Sequence, residues 1–200
     1  MQPECTASDF VGYEALIQFI KERELYKLDG DIIEIGAFMG GGTAKLAVYA
    51  RRYNKKVYAV DIFNTFCDQT QDTSGARMSD IYQALLQGRS QLEVYREATA
   101  GLDNIITIEN DSKEVEFPPE QKFIFGFVDG NHQADYVKND FYLIWHHLVP
   151  GGGIGFHDYR SSLPEVTGAI DRLIAQHRDE ISETQEIEGK SILLLSKKRA

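Results

Sequence analysis

Cysteine is nearly absent from this chain: Cys5 and Cys67 are the two among 200 residues. They form no metal-type spacing, which excludes a disulfide-stapled scaffold and a cysteine-built zinc site. They read as reduced thiols of a cytoplasmic protein. Basic residues are also scarce, with 21 Lys and Arg against 31 Asp and Glu and a net charge of −10. That balance argues against a protein that grips nucleic acid through its phosphates. The Lys197-Lys198-Arg199 run reads as a solvated end. Long apolar runs are missing as well; Phe123 to Val128 has the length of a buried strand, not of a membrane span. The start, with Glu4 and Asp9, lacks the basic residues and apolar run of a secretory signal. No internal repeat or low-complexity segment occurs. What is left is an ordinary globular composition, enough for one α/β domain over residues 1–200 and too short for two comfortable ones.

The most informative stretch is Ile32-Ile33-Glu34-Ile35-Gly36-Ala37-Phe38-Met39-Gly40-Gly41-Gly42-Thr43. A β-branched run breaks into glycines and a helical pattern follows, as in the strand–turn–helix units that hold nucleotide-like ligands. The glycines let a ligand approach the backbone and tolerate positive φ. The spacing is not the dinucleotide G-x-G-x-x-G, and no G-K-[ST] of a phosphate loop is present. Glu34 beside the turn would repel a pyrophosphate and suits a ligand with a cationic amino group. S-adenosylmethionine therefore fits better than NAD or ATP, and a turn that binds no cofactor is the alternative.

Hydrophobic periodicity predicts an opening helix over about Ser8 to Lys27, capped by Ser8 or Asp9. Strands are expected at Asp31–Ile35, Lys56–Asp61, Ile105–Glu109, Phe123–Asp129 and Gly153–Asp158. Helices are expected from Gly42 to about Tyr53, from Gln133 to Leu148 (stopped by Pro150 and three glycines) and from Pro164 to His177. A closing hairpin turns at Glu188-Gly189. Alternating strands and helices imply a doubly wound, mostly parallel sheet with helices on both faces, and the hairpin adds an antiparallel strand.

Two further motifs sharpen this. One is Phe127-Val128-Asp129-Gly130-Asn131-His132 with Tyr136 and Asp140; the other is Val149-Pro150-Gly151-Gly152-Gly153-Ile154-Gly155-Phe156-His157-Asp158-Tyr159. With the glycine turn, from Asp31 onward, the chain resembles the class I S-adenosylmethionine-dependent methyltransferases. Within them it is similar to the macrolide-sugar and small-molecule O-methyltransferases, with cephalosporin hydroxylase-like cousins. The resemblance implies a Rossmann-like sheet of seven strands.

The same resemblance assigns candidate cofactor residues. Glu34, Gly36, Ala37, Phe38, Gly40 and Thr43 belong to the turn, with Gly40 to Gly42 under the methionine end. Asp61 ends the second strand about 25 residues beyond Gly36, where a carboxylate can take the ribose hydroxyls; its alternative is a helix cap. Asp111 and Ser112 follow the third strand, where the family hydrogen-bonds adenine, although Asn-Asp-Ser is also ordinary loop chemistry.

If the fourth and fifth strands are neighbours, the ends bearing Asp129 and Asp158 lie about 4.8 Å apart. They could share Mg²⁺ or Mn²⁺ and activate an acceptor hydroxyl; alternatively Asp129 shapes a turn and Asp158 caps a segment. His157 is a third candidate ligand, although strand neighbours face opposite ways unless the chain bends there. His132 opens the next helix, and some relatives place a general base there; a helix N-terminus would keep its ring neutral. Its alternative is a histidine that caps the helix or orients a neighbouring ligand-bearing side chain. His146, His147 and His177 read as packing or surface residues.

Residues 1–29 would form an N-terminal helical cap, and 62–104 a lid and helical insertion in which Phe63 and Phe66 supply apolar contacts. The partner expected is a small-molecule acceptor, with no nucleic acid and no membrane; homo-oligomerisation is left open. Rival readings are a metal-independent methyltransferase, a hydroxylase-like oxidoreductase and a silent binding module.

Overall fold

The computed structural model describes residues 11–199. In chain order the elements are α1 (Tyr13–Glu22), β1 (Asp31–Ile35), α2 (Gly41–Arg51), β2 (Val57–Asp61), α3 (Met78–Leu86), α4 (Gln91–Ala98), β3 (Ile105–Glu109), β4 (Phe123–Val128), α5 (Ala134–Trp145), β5 (Leu148–Phe156), α6 (Pro164–Gln176), β6 (Ile181–Ile187) and β7 (Ile192–Lys197). The expected start of the first helix at Ser8 falls outside the described residues, as does Cys5. The helix begins instead after Gly12, whose left-handed backbone (φ 99°) opens it without a side-chain cap.

The strands form one seven-stranded sheet in the order β3-β2-β1-β4-β5-β7-β6. β7 runs antiparallel to both β5 and β6, and the other described pairings are parallel. The doubly wound sheet with a closing hairpin is therefore present. Alternation along β1 sends Ile33 and Ile35 to one face and Ile32 to the other. The first face packs against α5 and α6 through Phe141, Ile144 and Ile170. The second packs against α1 and α2 through Leu16, Phe19, Ile20 and Leu46. With both faces covered the strands read as continuous apolar runs, which is why β4 is buried throughout. Gly126 in β4 is needed for contact: a Cβ there would lie 2.4 Å from Ile144.

The first helix ends at Glu22, short of the expected Lys27, and two boundaries around Pro150 also differ from expectation. α5 ends at Trp145, and β5 already begins at Leu148, so Pro150 lies in the strand. Leu148 pairs with Phe123 across a register shift, and Pro150 sits in that irregular stretch, where a missing N–H breaks no regular ladder. Lys197 is not part of a solvated end: its Nζ donates to the carbonyls of Trp145 (2.9 Å) and Leu148 (3.0 Å). His147 and His177 are structural, bonding the Gln121 carbonyl and Glu180. No helix among the described residues is long and apolar enough to cross a membrane.

Candidate active site

Strand order reverses between β1 and β4, and a cavity of about 270 Å³ opens there at the C-terminal ends of the strands. Gly36 makes its floor. Its φ is +92°, and a Cβ would fall 2.0 Å from the Asp129 carbonyl oxygen, so only glycine lets the turns after β1 and β4 meet. The amide of Asp129 donates back to the Ile35 carbonyl (2.8 Å). Gly36, Ala37 and Phe38 line the cavity, together with Tyr13 from α1.

Glu34, Gly40 and Thr43 were expected at the cofactor but do not line the cavity. Strand alternation turns Glu34 behind the wall, where it is fully buried and accepts a hydrogen bond from the Thr43 hydroxyl. Burial pushes its carboxyl up to about 7, against hydrogen bonds from Thr43 and Tyr13. Gly40 (φ 80°) opens α2 and faces Tyr95.

Asp61 does face the cavity, but its carboxylate is already engaged. It accepts the amides of Phe38 (2.8 Å) and Phe63 (2.6 Å) and the Gln91 amide group (3.2 Å). Burial nevertheless raises its pKa. Asp111 and Ser112 line the far end, and Asp111 accepts from the Tyr136 hydroxyl at 2.8 Å.

Between β4 and β5 a chain of acids and imidazoles runs across the cavity. His132 Nδ1 lies 2.6 Å from Asp68 and its Nε2 2.9 Å from Asp158. His157 Nδ1 lies 3.0 Å from Asp158 and 3.0 Å from Asp129. The chain does bend after β5, with Asp158 at φ 57°, so His157 and Asp158 reach the same place. Among the described residues, Asp129, His132 and Asp158 bring their ligand atoms within 4.8 Å of one another. His132 joins Asp129 and Asp158 in this group, and the expected ligand His157 lies beside it, bridging the two carboxylates.

The electrostatics also correct the expected neutral His132. Burial opposes its charge, but hydrogen bonds to Asp158 and Asp68 prevail and raise it to about 9. His157 is raised to about 11: burial again opposes, and Asp129 and Asp158 prevail. Asp158 is held well below the usual carboxylate range, burial being outweighed by the two imidazoles.

Sequence reasoning missed Asp68, Tyr82 and Gln91. Asp68 lies in the polar run after β2, 64 residues from His132, and nothing local marks it. Tyr82 lines the cavity, and burial raises its hydroxyl well above the ordinary value, helped by the surrounding aspartates.

Residues 33–159 match the family described as a methyltransferase domain. No curated protein matches the chain in sequence. Among solved structures, the O-methyltransferase NovP superposes with a TM-score of 0.69 at 15% identity, over 94% of this chain and 79% of its own. CalS11, described as a TDP-rhamnose 3′-O-methyltransferase of calicheamicin biosynthesis, gives 0.62 at 16%, over 91% and 77%. MycE of the mycinamycin pathway, in complex with Mg and S-adenosylhomocysteine, gives 0.54 at 14%, over 96% and 55%. With the matched segment running from β1 through the Asp158 loop, the chain belongs to the methyltransferase-domain family and carries its class I fold.

Proposed function

We propose that the protein transfers the methyl group of S-adenosylmethionine to a hydroxyl of a small molecule, with a divalent cation held by Asp129 and Asp158. The observation that carries this reading is the placement of Asp129, His132 and Asp158 within one cavity that also opens on the Gly36 turn and Asp61. Family membership favours methyl transfer over a hydroxylase-like oxidation.

The lining suits a cationic cofactor, since among the described residues five aspartates and no Lys or Arg border the cavity. Gly36, Ala37 and Phe38 would flank the methionine portion, Asp61 the ribose, and Asp111 with Ser112 the adenine. Asp129 borders both the cofactor and the metal position. Asp61 keeps its oxygens oriented through backbone amides, a preorganised acceptor for ribose hydroxyls.

The donor set fits a hard cation: the two carboxylates at mutual reach suit Mg²⁺ or Mn²⁺, with His132 beside them left free as a base. MycE, described with Mg, supports this. Such an ion would polarise the acceptor hydroxyl and lower its pKa. His132 would then take the hydroxyl proton. Its Nδ1 is held by Asp68, and with Asp158 engaged by a cation it loses one of the two carboxylates that keep it protonated. Holding hydroxyl and methyl in line supplies much of the rate.

A second reading rests on His157. Its imidazolium already sits between Asp129 and Asp158, so the site carries a built-in positive charge and could work without metal. Calorimetry with S-adenosylhomocysteine and NAD tests the cofactor: NAD binding without an adenosylhomocysteine signal would overturn the reading. Full turnover in excess chelator would select the second reading over the first.

A further inference from the structure

The cavity lining carries aspartates, whereas the insertion that lends it Ile62, Thr65, Tyr82 and Leu85 exposes apolar side chains. Of the five large apolar side chains most exposed among the described residues, four lie on the insertion that borders the site: Ile62, Phe66, Ile81 and Leu85. Phe66 is 65% exposed. Ile81 and Leu85 stand one turn apart on α3, and Leu85 with Ile62 lines the cavity itself. The short turn Thr65–Cys67 is tied to α3 by the hydrogen bond from Gln83 to Thr65, so both halves of this rim belong to one packed unit. The fifth exposed side chain, Tyr53, is stacked on Tyr26 at 4.3 Å.

Charge decides what this cavity admits. No Lys or Arg lines the cavity, and the first ten residues contain none either. The bases next to lining residues are committed or turned away. Lys113 pairs with Asp135 and lies over the Tyr136 ring, Arg160 pairs with Glu186, and Arg77 is exposed outside the lining. A diphosphate would meet five aspartates whose offsetting charges, the His132 and His157 imidazoliums, are already paired with Asp68, Asp129 and Asp158, in a protein of net charge −10. The aspartates are also not spare sites for an amine. Asp68 and Asp158 pair with imidazoles, Asp61 holds backbone amides, and Asp111 accepts from Tyr136.

We propose that the acceptor is an uncharged, hydroxyl-bearing molecule with an apolar body, and that Ile62, Phe66, Ile81 and Leu85 seat that body at the mouth. This rests on the methyl-transfer reading and separates the chain from relatives such as CalS11, whose described acceptor carries a nucleoside diphosphate.

The test titrates the full chain, saturated with S-adenosylhomocysteine, with the uncharged fluorophore N-phenyl-1-naphthylamine. Saturable fluorescence enhancement is expected. The double substitution Phe66→Ser and Leu85→Ser should raise the Kd at least about tenfold, or 1.4 kcal/mol. Both side chains are partly exposed, so the fold should persist, and circular dichroism checks it. Thymidine diphosphate at millimolar concentration should not displace the probe. Absence of saturable binding, an unchanged Kd in the variant, or displacement by thymidine diphosphate would each overturn the proposal. The probe titration is repeated without cofactor, and adenosylhomocysteine binding is measured separately by calorimetry. A protein that binds the probe but not adenosylhomocysteine would refute the methyl-transfer reading while leaving the apolar rim standing.

Discussion

The carboxylate of Asp68 lies 2.6 Å from Nδ1 of His132, and both side chains are buried. This contact joins the insertion after β2 to the loop after β4. It is reinforced by Asn131, whose side chain donates to the Cys67 carbonyl at 3.3 Å. The insertion is therefore part of the candidate catalytic floor as well as its cover. A carboxylate on Nδ1 also fixes which nitrogen faces the cavity, leaving Nε2 toward Asp158.

Asp68→Asn should lower the His132 pKa from about 9 by at least about one unit, since one of two stabilising carboxylates is lost. The sign follows from linkage. A histidine raised in the folded state contributes stability that is fully present below its unfolded value near 6.5 and is lost as pH rises toward 9. The variant should therefore melt lower at pH 6 and lose less stability between pH 6.5 and 9. Histidine NMR titration reads the pKa directly, and an unshifted His132 would show that the contact is not ionic.

Glu34 behaves in the opposite sense. Its carboxyl is raised from 4.5 to about 7 by burial, so it binds its proton more tightly folded than unfolded. Stability should then fall as pH rises from about 4.5 to 7 and stay flat above. Glu34→Gln removes that loss and keeps an acceptor for Thr43, so it should stabilise the protein at pH 8 by on the order of 1–3 kcal/mol. At pH 4 the two proteins should melt alike. Because Glu34 does not line the cavity, adenosylhomocysteine affinity should change little; a large loss would return Glu34 to the cofactor site.

Much of this was legible in the sequence because the signals were local. β1 and β3 occupy the residues that periodicity selects, and the glycine turn sits where Gly36 is sterically required. β5 was misplaced at its start because Val149-Pro150-Gly151 carries stop signals that a register irregularity overrides. Glu34 reads as a ligand residue from its chemistry, whereas strand alternation buries its side chain against Thr43, outside the cavity lining. Asp68 was invisible for a different reason: its meaning depends on a partner supplied by the folded topology. The charge of His132 was misjudged on the same account, since two distant carboxylates outweigh the local helix terminus.

Asp61→Ala should weaken adenosylhomocysteine at least about tenfold. It deletes the proposed ribose acceptor and also frees the amides of Phe38 and Phe63, which hold the turn beside the cofactor. Isothermal calorimetry measures this, and an unchanged affinity would move the ribose elsewhere.

Asp129→Asn and Asp158→Asn should each reduce methyl transfer by two orders of magnitude or more, as loss of a metal ligand does. Adenosylhomocysteine affinity should be largely kept, because the pair lies beyond the glycine turn. Chelation of the unmutated protein should reproduce the loss, with recovery on adding Mg²⁺ or Mn²⁺. Activity that survives chelation but not Asp129→Asn would point to the His157 bridge instead.

The segment from Phe63 to Asp80 should close over bound ligands. The segment is tied to the rest of the protein by Asp68 on His132 (2.6 Å), by Asn131 donating to the Cys67 carbonyl (3.3 Å), by Thr73 donating to the Ser162 carbonyl (3.0 Å) and by Met78 packed on the core. Of its two aromatics, Phe63 packs on Tyr95 with ring centroids 4.8 Å apart, while Phe66 stays exposed and so does not brace the closed form. Any opening of the segment withdraws Asp68 from His132. Ligand contact along the Ile62 and Leu85 side should favour closure, which excludes water and completes the orientation of His132 together. Hydrogen exchange should therefore show protection across 63–80 rising when adenosylhomocysteine and an acceptor are added, with the β4 and β5 amides unchanged. Deleting Gln69 to Ser74 should raise the acceptor KM or cut kcat with the fold intact. A segment that is already fully protected in the free protein, or that stays open with both ligands bound, is not a lid, and Asp68 is then a fixed part of the floor.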